Sequence, residues 1–82
     1  MNKKKTHDLG PIHIGDHVEI HLDSKFGDKE GWYEGRVFRI DPYSNHRKFY
    51  WVQLDSKAQG ILGMKSISIF NPKNIRKTNP LE

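Results

Sequence analysis

No window of eleven or more residues in this chain keeps apolar side chains at the i, i+3, i+4, i+7 spacing of a packed helix, and glycine or proline interrupts most of them. Period-two alternation takes the place of that spacing. In His17-Val18-Glu19-Ile20-His21-Leu22, the apolar Val18, Ile20 and Leu22 fall on one face and His17, Glu19 and His21 on the other. Such a segment is a strand with one side in a core and the other in water. Gly15-Asp16 supplies the turn before it, and Asp23 to Gly31, with two glycines and five charged residues, reads as a long exposed loop.

Trp32 to Ile40 forms a second strand, joined to a third at Phe49 to Asp55 by Asp41-Pro42-Tyr43-Ser44-Asn45-His46-Arg47-Lys48, whose Asp-Pro and Ser-Asn pairs are turn formers. A symmetric loop sets Ile40 opposite Phe49, Phe38 opposite Trp51 and Arg36 opposite Gln53. The other face then pairs Arg39 with Tyr50, Val37 with Val52 and Gly35 with Leu54. That second face is aliphatic with a glycine and suits a tightly curved interior. The first carries Trp32, Phe38, Phe49 and Trp51, with Arg36 beside them. Beyond a glycine-containing connection, Ser56 to Lys65, Ile67 and Ile69 alternate with serines in a fourth strand, Ser66 to Phe70. Asn71-Pro72-Lys73-Asn74 predicts a 3₁₀ turn, and Ile75-Arg76-Lys77 a short closing strand. The core is expected from Val18, Ile20, Leu22, Tyr33, Val37, Ile40, Val52, Leu54, Ile67, Ile69 and Ile75.

Five short strands, with a long first loop and a one-turn link before the last, are the layout of a small all-β, SH3-like barrel over residues 14–77. An N-terminal tail, 1–13, and a C-terminal tail, 78–82, flank it, and Leu81-Glu82 has the form of a junction before a purification tag. Eighty-two residues hold one domain. With no cysteine, disulfides and thiolate zinc sites are excluded, and packing must carry the fold. Only 34% of residues are apolar, but four Phe, three Tyr and two Trp contribute large buried areas. The basic start, with its Lys3 to Lys5 run, is followed by no apolar stretch of signal-peptide length, and no run approaches the ~20 apolar residues of a membrane helix. A soluble, cytoplasmic monomer without a membrane partner is expected. The net charge of +4 points toward polyanionic partners, although the lysine run reads as a solubilising tail.

Gly31-Trp32-Tyr33-Glu34-Gly35-Arg36-Val37-Phe38-Arg39-Ile40-Asp41, followed by Tyr50-Trp51-Val52-Gln53-Leu54-Asp55, resembles the second and third strands of Tudor and Agenet domains. With Gly15-Asp16-His17-Val18 before and Pro72-Lys73-Asn74-Ile75-Arg76 after, the resemblance covers about residues 14 to 77. It implies a Tudor-like barrel. It also matches Tyr33 to a position that contributes to the aromatic cages in which some Tudor domains hold methylated cations. Leu22 stands where that cage has another aromatic, and the loop Asp55 to Gly60 carries no aromatic. Ile67-Ser68-Ile69-Phe70 is similar, more faintly, to the Val-Gln-Ile-Tyr strand of plasmid-type (type II) dihydrofolate reductases. Ser68 replaces the glutamine on which that active site depends, so the likeness implies the scaffold without the activity.

The residues expected to bind are Trp32, Tyr33, Arg36, Phe38, Arg47, Lys48, Phe49 and Trp51, an aromatic hairpin face with basic residues at its rim. Aromatic platforms beside arginine and lysine are how many barrel domains hold nucleic acid, by stacking on bases and pairing with phosphates. The alternative is a protein-protein interaction or accessory-subunit domain that docks through the same face. Against both stands a structural reading in which this face is a second small core, covered by Leu9 to Ile14 or by Ile61 to Met64. His13, His17 and His21 read as solvated surface residues, since His17 and His21 lie ~13 Å apart on a strand and cannot share a metal. Asp23, Asp28 and Glu30, mixed with Lys25 and Lys29, read as a solvated loop. No catalytic, phosphate-loop or metal motif occurs, so neither an enzyme nor a cofactor is expected.

Overall fold

A computed structural model describes residues 11–78 of the chain. The lysine run, Leu9, Gly10 and the Leu81-Glu82 pair therefore lie outside the described residues. Five strands form one antiparallel sheet: β1 (His17–Leu22), β2 (Gly31–Pro42), β3 (Lys48–Leu54), β4 (Ser66–Ile69) and β5 (Ile75–Lys77), in the order β4-β3-β2-β1-β5. Strand accounts for 47% of the described residues, so the all-β expectation holds. Among the described residues no helix is long and apolar enough to cross a membrane.

The alternation read in the sequence does place the core. Val18, Ile20, Leu22, Val37, Val52, Leu54, Ile69 and Ile75 are buried in one cluster to which all five strands contribute, and Tyr33, Ile40 and Ile67 pack against it. Ile12 and Thr78, just outside the expected 14–77 span, also belong to the folded unit. Ile12 packs on the core, and the buried Thr78 donates its N–H to the His17 carbonyl at 3.0 Å.

Two segments read as irregular are helical. Ser24–Lys29 is a 3₁₀ segment kinked at Gly27, with the Asp23 carboxylate accepting from the Lys25 N–H. Ser56–Leu62 is an α-helix, α1, of seven residues. It is too short for a 3.6-residue period to register, and its ends specify it instead. Asp55 caps the start, its Oδ1 accepting from the Ala58 N–H at 2.8 Å. Gly63 closes it in the left-handed region at φ 72°, donating to the Gln59 carbonyl at 2.9 Å. Ala58 drops into the core and Leu62 packs at its edge. The 3₁₀ turn at Pro72–Asn74 and the closing strand β5 stand where the sequence places them.

The β2–β3 hairpin begins in the expected register and then departs from it. Gly35↔Leu54, Arg36↔Gln53 and Val37↔Val52 pair as read, but a β-bulge between Val37 and Arg39 gives Arg39↔Trp51, Ile40↔Tyr50 and Asp41↔Phe49. Phe38 is the extra residue, without a partner on β3. The insertion resolves a conflict in the sequence reading, where strict alternation sets Ile40 opposite Phe49 although its apolar side chain belongs inside. One additional residue restores Ile40 to the core side and turns Arg39 outward. At Gly35 the strands approach so closely that a Cβ would sit 2.5 Å from the Gln53 carbonyl oxygen and 2.6 Å from Val52 Cγ1. Only glycine fits there.

Candidate functional site

Trp32, Arg36, Phe38, Phe49 and Trp51 share the outward side of the sheet, while Tyr33 and Lys48 fall on the other side by register and Arg47 lies in the loop before β3; the residues expected to bind form three groups and no single platform. At the hairpin tip, Phe49 and Phe70 lie 4.8 Å apart between ring centres, and Tyr43 meets both edge-on at 5.9 and 5.4 Å. Arg47 places its guanidinium 5.2 Å over the Phe70 ring. Lys48 is exposed and borders a small cavity with Arg47 and Phe70, and Tyr43 keeps 68% of its surface in water. Neither Arg47 nor Lys48 is paired with a carboxylate among the described residues. Sequence reasoning missed Tyr43 and Phe70. The available indication for Phe70 was its place after Ser66 and Ser68 on the outward side of β4, one step past the Tyr50↔Ile69 pair and hence next to Phe49.

Trp51 faces outward beside this cluster, opposite Arg39 and not opposite Phe38. Asp41 organises the position. Its Oδ1 accepts from Arg39 Nε at 2.9 Å and its Oδ2 from Trp51 Nε1 at 3.1 Å, so the indole N–H is satisfied and the ring fixed.

The middle of the face belongs to Arg36 and Phe38. Arg36 donates from Nη1 to the Gly15 carbonyl at 2.9 Å, and Phe38, at the bulge, is 47% exposed. Between them opens a groove of about 430 Å³, lined also by His17, Gln53 and the chain at Gly35, Val37, Leu54 and Asp55.

Trp32 stands at the far end of β2, opposite His21, whose ring centre is 5.0 Å from its own. The seven residue steps from it to Arg39, the partner of Trp51, put it roughly 20 Å from Trp51 at ~3.3 Å per residue. The two indoles therefore do not act on one short ligand. One face of Trp32 is taken by Arg76, at 3.7 Å from the ring centre, while 40% of the residue stays exposed. Tyr33 points the other way, packing against the core and donating its hydroxyl to the Lys29 carbonyl at 2.6 Å. With Trp32, Glu34, Asp55, Lys57 and Ile61 it borders a separate cavity of about 210 Å³.

No described segment lies across this face in the manner of a second core. Ile12 turns to the main core, while Ile14 is 63% exposed and Ile61 is exposed as well. The histidines divide. His13 is exposed, but His17 is not the solvated residue expected: its Nδ1 hydrogen-bonds Thr78 Oγ1 at 3.1 Å and its Nε2 lies 3.5 Å from Glu34. Among the described residues no group of three or more His, Cys, Asp or Glu could hold a metal ion. Asp16 has a shifted pKa. The His13 backbone N–H, donating to its carboxylate at 2.7 Å, holds the carboxyl below the ordinary value, Lys77 at 3.3 Å adds to the effect, and partial burial opposes it.

No family model, curated protein or solved structure gives a significant match to this chain.

Proposed function

We propose that this chain is a small non-enzymatic module that binds single-stranded nucleic acid on the outward face of β2, β3 and β4, with the hairpin tip as its main contact. The single observation that carries the reading is the tip cluster: three partly exposed rings, Tyr43, Phe49 and Phe70, near two cations, Arg47 and Lys48, that no carboxylate among the described residues neutralises. Bases stack on such rings whatever their identity, and phosphates pair with the free cations. The nearest acid on the same face, Asp41, is already bonded to Arg39 and Trp51 and offers little repulsion. Single strands are preferred over duplex because stacking on a side chain requires an unpaired base.

The scaffold belongs to the same proposal. One sheet that brings residues of all five strands into a single core, with a forced close approach at Gly35, supports curling into an SH3-like, Tudor-like barrel. The Tudor resemblance then extends to shape. Methyl-cation reading is a weaker fit, since Tyr33 faces the core and Trp32 is already stacked with Arg76.

Titration of labelled DNA and RNA oligonucleotides at 50 and 200 mM salt tests the reading. Micromolar binding that weakens steeply with salt is expected, and Lys48→Ala should lower the salt slope by about one. Absence of binding at the lower salt would end it. A protein partner that stays bound at high salt and is lost in Phe49→Ala would replace it with docking to a larger complex.

A further inference from the structure

The groove at the bulge has features that packing does not require. Phe38 is an inserted residue with no partner on β3, it is 47% exposed, and it lines the groove. Bulges re-aim side chains in this way beside functional sites. Arg36 is held in place by one bond, Nη1 to the Gly15 carbonyl, which leaves the rest of its planar fork free to donate. The Gln53 amide, on the neighbouring strand, has no hydrogen-bond partner among the described residues. A planar apolar surface, an anchored cation and an amide offering one donor and one acceptor side by side border a hollow of about 430 Å³. That size lies within the range of small-ligand sites.

One ligand class uses all three groups: a nucleotide, with a ring to stack, an edge to hydrogen-bond and a phosphate. Glutamine pairs in bidentate fashion with the N6 and N7 edge of adenine, whereas guanine presents two acceptors on that edge and the pyrimidines lack N7. The groove also lies on the path of the proposed ligand. Gln53 and Phe49 are four residues apart on β3, roughly 13 Å at ~3.3 Å per residue, which about four stacked nucleotide steps of ~3.4 Å would cover. We infer that the groove beside Phe38 is a base-reading subsite that takes one adenine nucleotide of a strand bound at the tip, stacked on Phe38, read by Gln53 and held through its phosphate by Arg36.

This inference rests on the nucleic-acid reading, and its test separates the two. Octadeoxyadenylate and octathymidylate are titrated at 50 mM salt against the full chain and against Gln53→Met, Phe38→Ala and Arg47→Ala, each checked for an unchanged thermal melt. Gln53→Met keeps the length of the side chain and removes the amide. The unmodified chain should bind the adenylate about tenfold more tightly than the thymidylate. Gln53→Met should remove that preference without weakening thymidylate binding, and Phe38→Ala should weaken adenylate binding about tenfold. If both octamers bind equally, or if the preference survives Gln53→Met, the subsite is overturned while the tip reading stands, provided that Arg47→Ala weakens both octamers. If neither octamer binds, both readings fall.

Discussion

Arg76 holds its guanidinium 3.7 Å above the centre of the Trp32 ring, with its Nε donating to Glu19 at 2.8 Å. Three strands meet in that contact, β5, β1 and β2, and it uses a tryptophan face that would otherwise be open to a ligand. Cation–π contacts are worth about 0.5–2 kcal/mol according to how far they are shielded from water. Arg76→Ala should therefore lower stability by about 1 kcal/mol and also make Trp32 more accessible. The measurement is acrylamide quenching in a Trp51→Phe background, where Trp32 is the sole indole. An unchanged quenching constant would show that the stack does not shield the ring in solution.

Gly35→Ala tests the close approach of β2 and β3. The new methyl would meet the Gln53 carbonyl oxygen and Val52 Cγ1 at 2.5 and 2.6 Å, and one of these is backbone that cannot rotate away. Overpacking of this kind costs about 1–3 kcal/mol. In a domain this small each kcal/mol shifts Tm by about 4–8 °C, so the melt should fall by at least several degrees. An unaltered Tm would mean that the strands separate there at no cost.

The Asp16 carboxyl gives the acid limb of stability a defined sign. Its folded pKa lies below the ordinary 3.8, chiefly through the His13 N–H and then through Lys77. The stabilisation is therefore complete above the ordinary carboxylate range and is lost as pH falls through the folded value. Asp16→Asn should be less stable than the parent at pH 7, with the gap closing as thermal melts are taken down toward pH 2.5. A gap that stays constant with pH would place the effect elsewhere.

Asp55 starts α1 through its bond to the Ala58 N–H. Asp55→Ala should cost about 1 kcal/mol, whereas Asp55→Ser, which retains a capping oxygen, should cost little. Equal losses in the two variants, measured by urea unfolding, would indicate a role other than capping.

The parts of this fold legible in the sequence are those governed by local rules. Strict alternation places Val18, Ile20 and Leu22 on one side of β1, and the Asn-Pro step before Lys73 and Asn74 marks the 3₁₀ turn ahead of β5. What escaped depends on partners remote in sequence or on elements too short to show a period. Phe38 looks like any other strand residue until its neighbour on β3 is known. Trp32 reads as an open platform because Arg76 lies 44 positions away. α1 carries its instructions only in Asp55 and Gly63. The candidate site reads as one surface in the sequence because Trp32, Arg36 and Phe38 on β2 and Phe49 and Trp51 on β3 recur at even spacing. The separation between Trp32 and the tip comes from the length of β2, and Tyr43 and Phe70 enter the tip from a loop and from the end of another strand.

Deleting one residue from a strand ordinarily inverts everything beyond the cut, so that greasy side chains emerge and charged ones are driven inward. Excising Phe38 from this hairpin would do the reverse, because Val37 and Arg39 already match successive positions, Val52 and Trp51, on the opposite chain. The shortened protein would zip into an uninterrupted ladder with its interior unchanged. The eighty-two-residue chain thus carries one amino acid that its architecture can spare, and a version lacking it would show what the remaining surface does without the groove.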